Sequence, residues 1–179
     1  MKGCRLDLSE LIFSTTKDDA CRLYLKDAYQ FAWEKSHDVT TKNGAIIVTK
    51  FIGNIYGANQ CPPMVKVLNE RLERPLKYDY IEHAERDAVY KAANIGLSIK
   101  GATMYVPWAA CADCARAIIL SGIERVVVHK QMVDKTPDRW CSSTTKAIGM
   151  FNETGVKFIM YDGVVGEVKS LFDGMVWEP

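Results

Sequence analysis

Between residues 83 and 129 the chain alternates twice between helical and strand patterning, and this constrains the fold more than any other feature. Apolar periodicity predicts a helix at about 83–95, a strand at 102–106, a helix at about 111–121 and a strand at 124–129. Gly96, Gly101 and Gly122 punctuate them. Helices alternating with strands imply crossovers, and crossovers leave a sheet covered on both faces. The flanks extend this α/β pattern. Residues 18–36 read as an amphipathic helix capped by Asp18, with Leu23, Ala28, Phe31 and Ala32 near helical spacing. Gly44 to Lys50 and Ile55 to Gly57 read as a hairpin. Residues 58–80, with Pro62, Pro63 and Pro75, read as an irregular insertion holding one short helix. A helix near 139–153, a strand at 156–161 and an extended tail complete the chain.

With 179 residues and no internal repeat or low-complexity segment, one domain over 1–179 is expected. Its core spans about 20–162, with a short N-terminal extension and a C-terminal tail, either of which is a candidate interface. Lysine plus arginine number 23 against 22 acidic residues, a formal net of +1, so no overall field pulls the chain toward nucleic acid or an anionic membrane. The N-terminal segment does not pattern as an export signal, and apolar stretches such as Ala117 to Ile123 are too short to span a bilayer. The expectation is a cytoplasmic protein with its six cysteines reduced.

Of those cysteines, Cys111 and Cys114 lie close in sequence, and they follow His83-Ala84-Glu85 at a distance. Each fragment alone carries little weight. A lone histidine on a helix is more often structural, and a lone C-x-x-C also suits a redox pair. Together they supply one imidazole and two thiolates, the ligand set that leaves a fourth tetrahedral position open on zinc. Cys111 at a helix start and Cys114 one turn later direct both sulfurs to one point. Glu85 stands too far round the helix to be a fourth ligand, yet near enough to carry protons for water at the metal. A closed structural zinc site remains the alternative; it normally has a fourth protein ligand, and none stands at an obvious spacing. The H-x-E and C-x-x-C pair is also the signature of zinc nucleobase deaminases.

At this point the chain resembles the deoxycytidylate (dCMP) deaminase branch of the cytidine deaminase superfamily. Ser36 to Ala45 resembles the segment leading into that family's first strand, and Gly57-Ala58-Asn59 with Pro62 its substrate loop. His83-Ala84-Glu85 and Cys111 to Ile119 resemble its two zinc motifs. The resemblance implies a three-layer sandwich, a five-stranded mixed sheet with helices on both faces, assembled as a homo-oligomer. It implies zinc-dependent hydrolysis of dCMP to dUMP and ammonia, and in some relatives control by dCTP and dTTP. Asn59 then meets the sugar, and backbone N–H groups at Ala84 and Cys111 help hold the base and the transition-state oxygen. One departure stands out: Ala110 occupies the place of the family's proline before the first zinc cysteine, which predicts a looser turn, with Pro107 nearby.

The phosphate side is read from cations. Thr40, Thr41 and Lys42 precede the first long strand, and Arg116, Lys135, Arg139 and Trp140 lie at or beyond the second zinc motif. Val133 to Trp140 is the first choice, with Thr41, Lys42, Arg139 and Trp140 the candidate substrate contacts. Trp108 is expected in the core. The competing readings are a deaminase of cytidine, a modified cytosine nucleotide, guanine or adenine in RNA, and a catalytically inactive zinc-binding scaffold. The near-zero net charge disfavours a nucleic-acid partner, and Glu85 disfavours an inactive site.

Overall fold

A computed structural model describes residues 11–50 and 53–179 of the chain. The elements run β1 (Ser14–Thr16), α1 (Asp19–Lys35), β2 (Gly44–Val48) and β3 (Asn54–Ala58). A 3-10 turn (Asn69–Leu72) leads to the one-turn α2 (Lys77–Tyr80), then α3 (Ala84–Asn94), β4 (Thr103–Tyr105), α4 (Ala112–Leu120) and β5 (Arg125–His129). The chain ends with α5 (Lys130–Asp134), α6 (Asp138–Thr154), β6 (Lys157–Tyr161), β7 (Ser170–Phe172) and β8 (Met175–Trp177). Of the readings above, those that fall on residues 1–10 lie outside the described residues.

The sheet has six strands, in the order β1-β6-β5-β4-β2-β3, and not the expected five. The additional strand is β1, which pairs parallel with β6 and carries only Ser14-Thr15-Thr16, too short for any period to reveal it. β4, β5, β6 and β1 run parallel, while β2 is antiparallel to both β3 and β4, so the sheet is mixed. The tail folds back as the separate β7–β8 hairpin instead of remaining extended.

Alternation along the strands sorts the side chains into two cores. Ala45, Ile47, Met104, Val126, Val128, Phe158 and Met160 face one way and pack with Ala84, Ala88, Cys114, Ile118, Ile148 and Phe151 of α3, α4 and α6. Val127 and Tyr161 face the other way, toward Leu25 and Tyr29 of α1 and Val165 and Val168 of the tail. These are the three layers. Two glycines fix how closely the layers approach. A Cβ on Gly44 would lie 2.3 Å from the Ala28 carbonyl oxygen, and one on Gly57 would lie 2.1 Å from that of Ala84. Gly57 pairs with Ala45 rather than Gly44, so the two glycines point to opposite faces, one toward α1 and one toward α3.

Asp18 caps α1 as the sequence implies, its carboxylate accepting from the Ala20 N–H at 2.7 Å. The buried stripe is Leu25, Ala28, Tyr29 and Ala32, whereas Leu23 is exposed. Cys21, Cys61, Cys111 and Cys114 carry free thiols. Among the described residues no helix is long and apolar enough to cross a membrane.

Candidate metal and active site

α3 and α4 start side by side, and each begins at a metal-type side chain. His83 is the residue preceding α3 and Cys111 the residue preceding α4, both with extended backbone. The Nδ1 of His83 lies 3.6 Å from Cys111 Sγ and 3.5 Å from Cys114 Sγ, and all three donor atoms lie within 4.8 Å of one another. A tetrahedral zinc with bonds of about 2.3 Å to sulfur and 2.05 Å to nitrogen sets those atoms about 3.6 Å apart. The spacing therefore fits zinc, and among the described residues this is the one such cluster. Ala110 is buried beside it. The Ala112 N–H at the start of α4 donates to Ser143 Oγ of α6 at 3.0 Å, so one free helix-entry donor is satisfied from across the site.

The electrostatics follow from burial and proximity. Cys111 is held at about 4, first by the hydrogen bond from Cys114, with burial opposing and His83 assisting. Cys114 is pushed up, first by that shared hydrogen bond and then by burial. The two sulfurs thus hold one negative charge between them and titrate as a unit; a divalent metal takes both as thiolates. Burial favours neutral His83, but Cys111 and Glu85 outweigh it and leave the ring more basic than usual. Glu85, only 3% exposed, has its carboxyl raised chiefly by burial.

The cleft over these groups is lined by Asn59, Thr41, Asn43, His83, Glu85, Trp108, Cys111, Arg139 and Trp140, together with Asp38, Arg74, Lys77, Tyr78 and Thr144. Asn59 ties its parts together. Its Oδ1 accepts from the Ala84 N–H at 3.0 Å and its Nδ2 donates to the Thr41 carbonyl at 3.1 Å. One lone pair and one N–H of the amide remain for a ligand. The Ala84 N–H is engaged by Asn59, so Ala84 serves to orient that amide. Trp140 packs against His83 with ring centroids 5.8 Å apart, and Trp108 bridges Trp140 to Phe172 of the tail. Trp108 is therefore both cleft wall and core, its Nε1 donating to Thr136 Oγ1 at 2.9 Å.

Other candidates turn away. Lys42 Nζ donates to the Trp33 carbonyl at 2.7 Å, Arg116 pairs with Asp113, and Lys135 stacks over the Trp177 ring at 4.6 Å. Thr40 Oγ1 accepts from Lys77 at 2.6 Å. In their place the fold brings in residues that sequence reasoning missed. Lys77 is buried and reaches both Asp38 oxygens, at 3.0 and 2.8 Å. Arg74 stands at the exposed edge with Arg139. No local pattern marks these residues, because their partners lie tens of residues away.

Residues 19–130 match the profile of a family described as the cytidine and deoxycytidylate deaminase zinc-binding region. Human deoxycytidylate deaminase is 31% identical over 153 residues, covering 82% of each chain. The deoxycytidylate deaminase of Enterobacteria phage T4 is 48% identical over 58 residues, 32% of this chain, and this match spans only 30% of the phage protein. Among solved structures, the dCMP deaminase of cyanophage S-TIM5 in complex with dCMP and dUMP superposes with a TM-score of 0.61 at 24% identity, over 81% of this chain and 98% of that one. The diaminohydroxyphosphoribosylaminopyrimidine deaminase/reductase of Thermotoga maritima superposes with a TM-score of 0.58 at 22% identity, over 79% of this chain and 36% of that one. At these identities the structural likeness is one of fold.

Proposed function

The chain belongs to the cytidine and deoxycytidylate deaminase zinc-binding family, and from that premise we propose that it hydrolyses dCMP to dUMP and ammonia. The observation that carries the reading is the tetrahedral spacing of His83 Nδ1, Cys111 Sγ and Cys114 Sγ beside a buried Glu85 in one cleft. These three side chains would hold zinc. When bound, zinc supplies the Lewis acidity that makes water a nucleophile near neutral pH.

The remaining steps belong to the chain. Glu85 accepts the proton of the attacking water and passes it to the cytosine ring nitrogen beside the amino-bearing carbon; it then takes the proton of the newly added hydroxyl and gives it to the amine, so that the carbonyl forms as the C–N bond breaks and ammonia leaves. The carboxyl is buried beneath the cleft, so bulk water does not compete for that proton. Asn59, fixed at both ends of its amide, presents its remaining hydrogen-bond capacity to the sugar. Trp140 offers a ring to the base side, Thr41 its hydroxyl, and Arg139 a fork for the phosphate. A homo-oligomer in the cytoplasm, with dCTP and dTTP as effectors, belongs to the same reading by family.

The test is ammonia release by the zinc-loaded protein across cytidine, deoxycytidine, CMP, dCMP, guanine and single-stranded oligonucleotides. The expected result is a preference for dCMP. A preference for cytidine over dCMP overturns the nucleotide assignment. Glu85→Gln should keep its zinc and lose on the order of a hundredfold or more in kcat; full turnover in that variant refutes the proton-carrier role.

A further inference from the structure

Three segments distant in sequence meet at the edge of the cleft. Arg74 comes from the loop before α2, Arg139 from the first turn of α6, and Asp173 from the turn between β7 and β8. The Nη2 groups of both arginines donate to one oxygen, Asp173 Oδ1, at 3.0 and 2.7 Å. Arg74 and Arg139 line the cleft and Asp173 does not, so the carboxylate grips the two guanidiniums from outside it. Arg74 is oriented a second time, its Nε donating to Tyr78 Oη at 3.1 Å.

The turn bearing Asp173 is itself tied down. The Asp173 N–H donates to Thr41 Oγ1 at 3.2 Å, the Gly174 N–H to the Thr40 carbonyl at 2.8 Å, and the Lys42 N–H to the Leu171 carbonyl at 2.9 Å. Asp173 adopts a left-handed backbone with φ of 47°, a conformation that Asp, Asn and Gly accept most readily. Among the described residues, Nη1 of each arginine and Nε of Arg139 make no hydrogen bond. Two guanidiniums and one carboxylate leave a net charge of +1 with free donors, which suits a phosphate monoester.

We propose that Asp173 is a positioning residue that sets Arg74 and Arg139 as a pair for the substrate's phosphate, and so decides selection of nucleotide over nucleoside. The proposal rests on the reading of the cleft as the site of a cytosine-nucleotide deaminase. Two effects of the carboxylate oppose each other. Its charge repels an incoming phosphate, but at a half-exposed edge that repulsion is screened by solvent. Its grip fixes two long, rotamer-rich side chains, and losing the grip frees both. Positioning outweighs repulsion.

The experiment measures dissociation constants of dUMP and deoxyuridine by calorimetry, together with kcat and KM for dCMP and deoxycytidine. Asp173→Gly preserves the left-handed turn and removes the carboxylate. It should weaken dUMP about tenfold and deoxyuridine less than about twofold, with the dCMP effect in KM rather than kcat. Asp173→Asn keeps the turn and the Oδ1 acceptor and should lose less. In a chain carrying Arg74→Met and Arg139→Met, adding Asp173→Gly should change nothing further. Tighter dUMP binding in Asp173→Gly, equal weakening of both ligands, or an additive loss in the arginine-free background each overturns the proposal. Absence of any deamination, with the Asp173-dependent preference for dUMP intact, instead refutes the catalytic reading alone.

Discussion

Replacing Gly57 with alanine tests whether the approach of α3 to the sheet sets the geometry of the site. The new Cβ would stand 2.1 Å from the Ala84 carbonyl oxygen, 2.6 Å from the Ala88 nitrogen and 2.9 Å from the Ala88 Cβ. Two of these atoms are backbone, so no rotamer change relieves the clash. Ordinary contact begins at 3.4 Å, so the first turn of α3 must retreat by about 1.3 Å. That turn carries Glu85 and directly follows His83. Overpacking costs about 1–3 kcal/mol, a drop of roughly 3–10 °C in Tm for a chain of this size. A displacement of about 1 Å at reacting groups costs on the order of a hundredfold in rate. Gly44→Ala is the matched control. Its Cβ would meet the Ala28 carbonyl at 2.3 Å, but α1 lies on the opposite face and bears no metal or proton-carrying group. Thermal unfolding, bound zinc per chain and kcat per folded molecule are the assays. Both variants should lose stability, and Gly57→Ala alone should also lose zinc and turnover. Equal kcat in the two variants would refute the argument.

Cys114→Ala should abolish stoichiometric zinc, read by elemental analysis of the purified protein; one tightly bound zinc per chain in that variant sinks the ligand assignment. Lys77→Met leaves the buried Asp38 carboxylate without its cation and should cost about 3–5 kcal/mol, seen as a lower denaturant midpoint. Adding Asp38→Asn should recover much of that loss, and a milder effect of Lys77→Met alone would refute the reading. His129 is fully buried, its Nε2–H donating to the Gly163 carbonyl at 2.9 Å and its Nδ1 accepting from Tyr29 Oη at 2.9 Å. Burial lowers its pKa below the ordinary 6.5. The unfolded chain then binds the proton first as pH falls. This contribution to stability is therefore present above about pH 6.5 and lost as pH falls through the lowered native value. His129→Gln should flatten the fall in stability between about pH 6.5 and 5; an unchanged slope shows that His129 does not cause it.

The clustering of His83, Glu85, Cys111 and Cys114 was legible in the chain because helix geometry turns sequence spacing into direction. Cys111 and Cys114 sit one turn apart, and His83 and Glu85 sit at the start of another helix, so few arrangements of those four residues exist once the two helices start side by side. The alternation from residue 83 to 129 was legible for a similar reason, each apolar period being complete within its own element. Strand β1 was not, since three residues of Ser-Thr-Thr hold no period and are ordered by pairing with β6. Nor was the inward face of α1. Leu23 looks as apolar as Leu25, and only packing against the sheet and the tail distinguishes buried from exposed.

Charged residues show the divide most clearly. Lys42 and Arg116 sit next to the right motifs, yet one turns to the Trp33 carbonyl and the other to Asp113. Arg74, 65 residues before Arg139, stands with it around Asp173, near the far end of the chain. A long cationic side chain has many rotamers, and its partner is chosen by whichever loop returns to that spot. His83, Glu85, Cys111 and Cys114 could be read in one dimension because short-range backbone geometry aims them. The cations at the cleft edge could not, because their direction is set by contacts between segments that meet only when the sheet, its helices and the tail hairpin close together.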